Sequence, residues 1–300
     1  MLFARMVFLF APPYFCAKRL AMIKFEKIPP PHILREFVRG YWLMESQTAQ
    51  VLDLIPDGYP EIFFVLGTKI TAKNAGRTTA FTIPGSGVIG QLDGIFSMYV
   101  HPGARILSVK IYPWAYSILF DSPAHLWLNQ VVSFEEISNF REFRRLAERV
   151  GSAENIPLAL CLLNEFLIKK IRYSENRNPF LQFAVRQIFE SRGTVSIERL
   201  TANIHASRRY VEKLFKMQLG MSPKKFSRQI RIKKASMYLQ DRGFSGSLKN
   251  IMNDLNYYDQ SHFLKDFKSV VGLTPSHYLA LQQEFPLAQI EDYLGQWDYS

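Results

Sequence analysis

Two cysteines in 300 residues, Cys16 and Cys161, are too few and too far apart for a disulfide framework, a zinc knuckle or a paired redox motif. A reducing, cytoplasmic setting is the expectation. Long apolar runs are missing too. The stretch 6–10 is cut off by Pro12-Pro13, short of the ~7–15 residues of an export signal and the ~20 of a membrane span. Residues 1–21 are therefore expected to be a poorly structured leader, with Met22 a candidate translation start and no membrane partner. The six histidines, at positions 32, 101, 125, 205, 262 and 277, show neither His-x-His nor HExxH spacing, so no metal site is expected. There is no Gly-x-Ser-x-Gly elbow, Walker loop or dinucleotide fingerprint. Asp57 and Glu61 form an acidic pair, but the Pro-Asp-Gly turn accounts for the aspartate without catalysis. The expectation is no enzyme activity, no catalytic residue and no cofactor.

Apolar residues at 48% and charged residues at 21% match ordinary globular usage and leave enough chain for about two domains. The net charge of +11 is unevenly spread. Residues 179–285 hold 17 Lys and Arg against 8 Asp and Glu, whereas residues 286–300 hold three acidic residues and no basic one. One part of the chain thus has the charge of a domain facing a polyanion.

Patterning divides the chain the same way. From residue 23 to about 113, short β-branched or aromatic runs such as 51–55, 61–66 and 105–111 are bounded by Gly, Pro, Asn and Asp, which predicts five to eight strands. Asp57-Gly58 and Gly85-Ser86-Gly87 are expected turns. Phe63, Tyr99, Tyr112 and Trp114 are candidates to line the interior of a small barrel or sandwich, although aromatic residues at such spacing are more often plain core. Helical steps begin near Ser133, with Phe134, Ile137, Phe140, Phe143 and Leu146 on one face, and return over 156–171, where Cys161 is expected to be a buried, inert thiol. The polar run 173–179, ending in proline, marks the boundary. The expected domains are 22–178, a β-rich sensor or dimerisation unit with helices after about 133; 179–285, all helical; and 286–300, an acidic aromatic tail.

Beyond Pro179 the chain reads as about seven helices, and an internal repeat identifies them. Residues 214–223 (LFKMQLGMSP) align at an offset of 52 with 266–275 (DFKSVVGLTP), matching at Phe, Lys, Gly and Pro. In the first copy Ile197, Leu200 and Ile204 form the apolar side of a short helix, the chain turns near His205, and Ser207 caps a second helix with Tyr210, Val211, Leu214 and Phe215 inward. In the second copy Ser247 caps a helix bearing Leu248, Ile251, Met252 and Leu255. Asn256 then turns the chain and Asp259 caps a helix with Phe263 and Phe267 inward. Gly220 and Gly272 can each end a helix in the left-handed region, and Ser222-Pro223 and Thr274-Pro275 can start the next.

Two helix-turn-helix units in tandem are a far more specific signal than one. Residues 180–283, above all 259–278 (DQSHFLKDFKSVVGLTPSHY) and 231–235 (RIKKA), resemble the DNA-binding domain of the AraC/XylS family of transcriptional regulators. Residues 54–64, 85–91 and 109–113 resemble an amino-terminal domain found in a subset of those regulators. Three departures stand out: Asn256 where the family usually has glycine, Lys213 and Lys265 where it has arginine, and Val211 where it has leucine. Lysine keeps the charge but not the bidentate fork.

The resemblance implies an α+β chain, with a β-rich barrel-like domain and packing helices before an all-α domain of two helix-turn-helix units. It implies a transcription regulator, with activator as the type named for it and repressor left open, that binds double-stranded DNA with RNA polymerase as a further partner. Helices held by one linker can enter successive major grooves. By position, Arg209, Glu212 and Lys213, then Gln260, Ser261, Leu264 and Lys265, are the candidates for base edges. Ser207, Arg208, Lys216, Lys224, Lys225 and Lys268 are the candidates for phosphates, which set register but not sequence. The amino-terminal part is expected to take a small-molecule effector of unknown site, and the helices between 133 and 172 to support a homodimer. The alternatives are a non-sensing architectural or partner-recruiting DNA binder, and a DNA-repair alkyl-transfer enzyme, which would need an activated cysteine.

Overall fold

The computed structural model describes residues 23–74, 80–120, 122–138, 140–203, 206–241 and 246–284. The expectations for residues 1–21, Cys16, Ile204, His205 and the acidic tail lie outside the described residues. Among the described residues, ten strands make two antiparallel sheets. The first has the order β1 (Ile23–Ile28), β2 (Val38–Ser46), β9 (Ala104–Ile111), β4 (Glu61–Val65), β7 (Ser86–Ile89) and β10 (Val131–Ser133). The second runs β3 (Gln50–Leu54), β8 (Phe96–Val100), β5 (Thr71–Asn74) and β6 (Phe81–Thr82). The sheets do not close into a barrel: β1 and β10 remain edges of one, β3 and β6 of the other.

The period-2 alternation of the first sheet explains its place in the middle of the domain. Met44, Phe63, Ile89 and Ile106 face the second sheet, while Leu43, Ile62, Phe64, Val88, Leu107 and Val109 face helices on the other side. Those helices are α1 (Tyr116–Leu119), α2 (Phe140–Gly151) and α3 (Ile156–Tyr173).

Several expectations need correction. The described residues between 23 and 111 hold nine strands rather than five to eight, because the short β5, β6 and β7 lie in a stretch whose Gly, Thr and Ser content resembles turns. Gly85-Ser86-Gly87 is not a free turn, since Ser86 and Gly87 belong to β7. A Cβ on Gly87 would sit 2.2 Å from the Val132 carbonyl oxygen, so this glycine permits the close approach of β10. The proposed aromatic lining does not assemble. Phe63 faces the second sheet, but Tyr99 alternates to the outer face of β8. Tyr112 and Trp114 stack on each other at 4.5 Å on the helical side. Between the sheets there remains a cavity of about 30 Å³ beside Trp42, Phe63, Met98 and Ser108, room for water only. Ser133 starts a capped 3₁₀ turn, with α2 following only at Phe140, and Phe140 itself is exposed. Cys161 is exposed as well, because the inward stripe of α3 is Ala159, Leu163, Leu167 and Ile171, and position 161 lies off it.

Seven helices follow among the described residues: α4 (Pro179–Glu190), α5 (Ile197–Asn203), α6 (Arg208–Leu219), α7 (Pro223–Gln240), α8 (Leu248–Asp254), α9 (Gln260–Val271) and α10 (Pro275–Glu284). The helix-side core does not stop at residue 178. It runs on through Leu181, Ile188 and Phe189 of α4 to Leu214, Phe215, Phe226 and Ile230. Tyr59 stacks on Phe189 at 4.9 Å.

The two helix-ending glycines sit in different surroundings. Both have φ 77°, but a Cβ on Gly272 meets nothing within 4 Å, whereas one on Gly220 would lie 3.0 Å from the His125 Cα and 3.3 Å from the Ala124 carbonyl oxygen. Gly272→Ala should therefore cost about 1–2 kcal/mol for the left-handed backbone alone, and Gly220→Ala clearly more. Urea midpoints of the two variants check the order.

Candidate nucleic-acid interface

The two helix-turn-helix units are built by the same local rules. Ser207 Oγ accepts the Tyr210 N–H at 3.2 Å to start α6, and Asp259 Oδ1 accepts the His262 N–H at 2.8 Å to start α9. At the far ends the Gly220 N–H donates to the Lys216 carbonyl and the Gly272 N–H to that of Lys268. Ser222 Oγ accepts the Lys225 N–H to cap α7, and Ser247 caps α8 by accepting the Asn250 N–H. Asn256 adopts φ 54°, so asparagine supplies the left-handed turn in place of glycine.

Each unit wraps an apolar core. In the first, Leu200, Val211, Phe215 and Leu219 are fully buried; in the second, Leu255, Phe263 and Phe267. Asp266, only 6% exposed, anchors α9: its carboxylate accepts the Tyr257 hydroxyl at 3.1 Å and lies 3.6 Å from Arg228 of α7. That hydrogen bond and burial push the Tyr257 hydroxyl above the usual tyrosine range, burial being the larger cause.

Outward, α6 presents Arg209, Lys213 and Lys216, all exposed, with Glu212 bound to Arg208 at 3.2 Å; Arg208 also reaches Glu198 at 3.9 Å. On α9, Gln260, Ser261, His262, Lys265, Lys268 and Ser269 are exposed. Leu264 is half-buried and packs on the second unit's core. Ser207 is exposed with its oxygen engaged as the cap, and Lys224 is exposed on α7. Lys225 pairs with Asp93 of the β-rich half. Tyr210 departs from its expected inward place: it lies at the margin of the Val211–Phe215–Leu219 stripe, is 42% exposed, and meets Phe180 edge-on.

A group that the patterning did not flag lies where the β-rich half meets α7. The turn 56–60 is set by Gly58 at φ 85° and by Asp57, whose Oδ1 accepts the Tyr59 N–H at 3.1 Å. It presses on α7 so closely that a Cβ on Gly58 would lie 2.8 Å from Ile230 Cδ1. Asp57 also pairs with Lys110, both being nearly buried. Gln91 Nε2 donates to the Gly58 carbonyl at 2.8 Å, which leaves Gln91 Oε1 with no hydrogen-bond partner. Across the junction Gln229, 2% exposed, has neither amide atom paired, and Lys233, 1% exposed, has no hydrogen-bond partner for Nζ. A cavity of about 30 Å³ lies among Asp57, Gln91, Lys110 and Gln229. The signal was present in the spacing, since Phe226, Ile230 and Lys233 recur at i, i+4 and i+7 and so share the buried face of α7.

A family profile described as Helix-turn-helix domain matches residues 200–280, and one described as Domain of unknown function (DUF6597) matches residues 26–133. The first covers both units and the helix between them. The chain is 24% identical over 127 residues to the Msm operon regulatory protein of Streptococcus mutans (42% of this chain, 45% of that protein). It is 26% identical over 160 residues to the uncharacterised HTH-type transcriptional regulator YidL of Escherichia coli (50% of this chain, 53% of that protein). Residues 200–280 are thus a helix-turn-helix domain of the kind carried by transcriptional regulators, in keeping with the resemblance to the AraC/XylS family. The alignments span about half the length of these two curated relatives. Among solved structures, ToxT from Vibrio cholerae is similar at 12% identity and a TM-score of 0.43, over 86% of this chain and 97% of that one. The C-terminal domain of AraT from Geobacillus stearothermophilus is similar at 25% identity and a TM-score of 0.31, over 34% of this chain and 85% of that one.

Burial pushes the Lys233 ammonium down to about 7, with Asp57 opposing the shift and Lys110 adding to it. The folded value lies below the unfolded one of ~10.4, so the unfolded chain binds the proton more tightly. The destabilisation is then complete below pH ~7 and fades as pH rises toward ~10. Lys233→Met should melt higher than the native chain at neutral pH, and the gap should narrow by up to about 1.4 kcal/mol per pH unit above ~7. Paired thermal melts across that range check it.

Proposed function

We propose that the protein is a sequence-specific DNA-binding transcription regulator in which α6 and α9 read two successive major grooves of one duplex. The observation that carries this reading is the matched pair of capped helices, each offering exposed polar and basic side chains while its apolar face is buried against α7 or its partner helix. Arg209, Glu212 and Lys213, with Gln260, Ser261, Leu264 and Lys265, are assigned to bases. The phosphate set is Ser207, Arg208, Lys216, Lys224, Lys225 and Lys268. On the same reading residues 179–285 form the DNA-binding domain and residues 22–178 the domain that controls it. A cytoplasmic homodimer that meets RNA polymerase fits the family, and no catalytic role is assigned.

Control from the amino-terminal half is supported by the junction at α7. Gln91, Gln229 and Lys233 bring unpaired donors and acceptors to one buried boundary, where a small polar effector could satisfy them and alter how the halves meet. The small volume there and between the sheets favours, as a second reading, a non-sensing binder whose amino-terminal half recruits a partner.

Selection of bound duplexes from a random pool, followed by anisotropy with the best site, tests the proposal. A site spanning two major-groove segments is expected, with Arg209→Ala and Lys265→Ala each relaxing one segment by ~1–3 kcal/mol. Salt-dependent but sequence-blind binding would make the helical domain an electrostatic platform and defeat the reading.

A further inference from the structure

We propose that Asp93 stands in for a DNA phosphate on Lys225, so that the β-rich half holds the first reader unit in a weak-binding state. The proposal rests on the DNA-binding reading above. Lys225 lies in the first turn of α7, directly after the α6–α7 turn, beside the exposed Lys224. Where Lys224 is exposed to solvent, Lys225 is paired with a carboxylate 132 residues earlier in the chain.

That carboxylate is held in place. Asp93 Oδ1 accepts Nδ2 of Asn129 at 2.8 Å, while the Asp93 N–H donates to Asn129 Oδ1 at 3.0 Å. Asn129 itself sits at φ 59°, a region asparagine tolerates better than most residues, and its N–H donates to the Gln91 carbonyl at 2.8 Å. The reciprocal clamp occupies one carboxylate oxygen and leaves Oδ2 for the lysine. A carboxylate, like a phosphodiester, spreads a single negative charge over two acceptor oxygens, so it meets an ammonium as DNA would.

Two further observations fit a displaceable lock better than a structural strut. The side chains are 37% exposed for Lys225 and 20% for Asp93, so water and competing anions reach the pair. In addition, the segment 124–128 of the β-rich half packs on Gly220, over the turn that joins α6 to α7. The half that supplies the carboxylate therefore also packs on the turn between Lys216 and Lys225.

The test uses the full chain and a labelled duplex carrying the selected site, with the apparent association constant measured across a potassium chloride series. Asp93→Asn should bind more tightly, and its log–log salt slope should steepen by about 0.9, the change for one further phosphate neutralised. Lys225→Ala should flatten the slope more in the Asp93→Asn chain than in the native one. Should Asp93→Asn lower the melting temperature, Asn129→Gly, which loosens the clamp and suits the positive φ, should still raise affinity. An unaltered slope in both Asp93→Asn and Asn129→Gly, or an equal effect of Lys225→Ala in both backgrounds, overturns the lock while leaving the DNA reading intact. Failure of the native chain to bind any selected duplex removes both.

Discussion

The molecule is organised around the burial of α7. Nine of its eighteen residues are buried, on more than one side, although the helix carries six basic residues and no acidic one. Phe226 and Ile230 close the core shared by the sheet and the first unit, whereas Ile232 and Ala235 close the core of the second. An ordinary surface helix commits one stripe. A helix committed on several sides has almost no freedom to rotate or slide, so the orientation of α6 relative to α9 is inherited from how α7 sits. The turn at Gly58 rests against Phe226 and Ile230 of this same helix, so it touches the element on which both units are packed.

The chemistry of that contact is mixed in a way neither core is. Apolar cores tolerate little misfit but leave no polar group wanting. At the junction, the Asp57–Lys110 pair lies near the unpaired Oε1 of Gln91, the unpaired amide of Gln229 and the Lys233 amine. Such a boundary contributes less to stability than an apolar one of equal size, because each orphaned group keeps its desolvation cost.

Much of this was legible before any coordinates. The helical half is a region where local rules agree: caps at Ser207 and Asp259, left-handed glycines at 220 and 272, and apolar steps of three and four all name the same elements. The β-rich half was less legible because strands depend on partners distant in sequence. Gly87 looks like a turn residue until Val132 is seen to lie against it, and Tyr99 looks like lining until the register of β8 puts it outside. The contact between the halves was the least legible part. The spacing puts Lys233 on the face of Phe226 and Ile230, but no periodicity signals that Asp93 will find Lys225.

The continuity of one core across residue 178 has a consequence for how such chains can be recombined. The second unit has a nearly private interior, to which the amino-terminal half adds little beyond Ile55 and Ile95. The first unit shares its interior with α4 and, through Tyr59 and Phe189, with the sheet. A chimaera joined at the apparent linker would carry the second unit over intact and leave the first with an open flank. The halves are therefore unequal as exchangeable parts, and a foreign amino-terminal half would have to bring its own complement to the exposed face of α4 and α7.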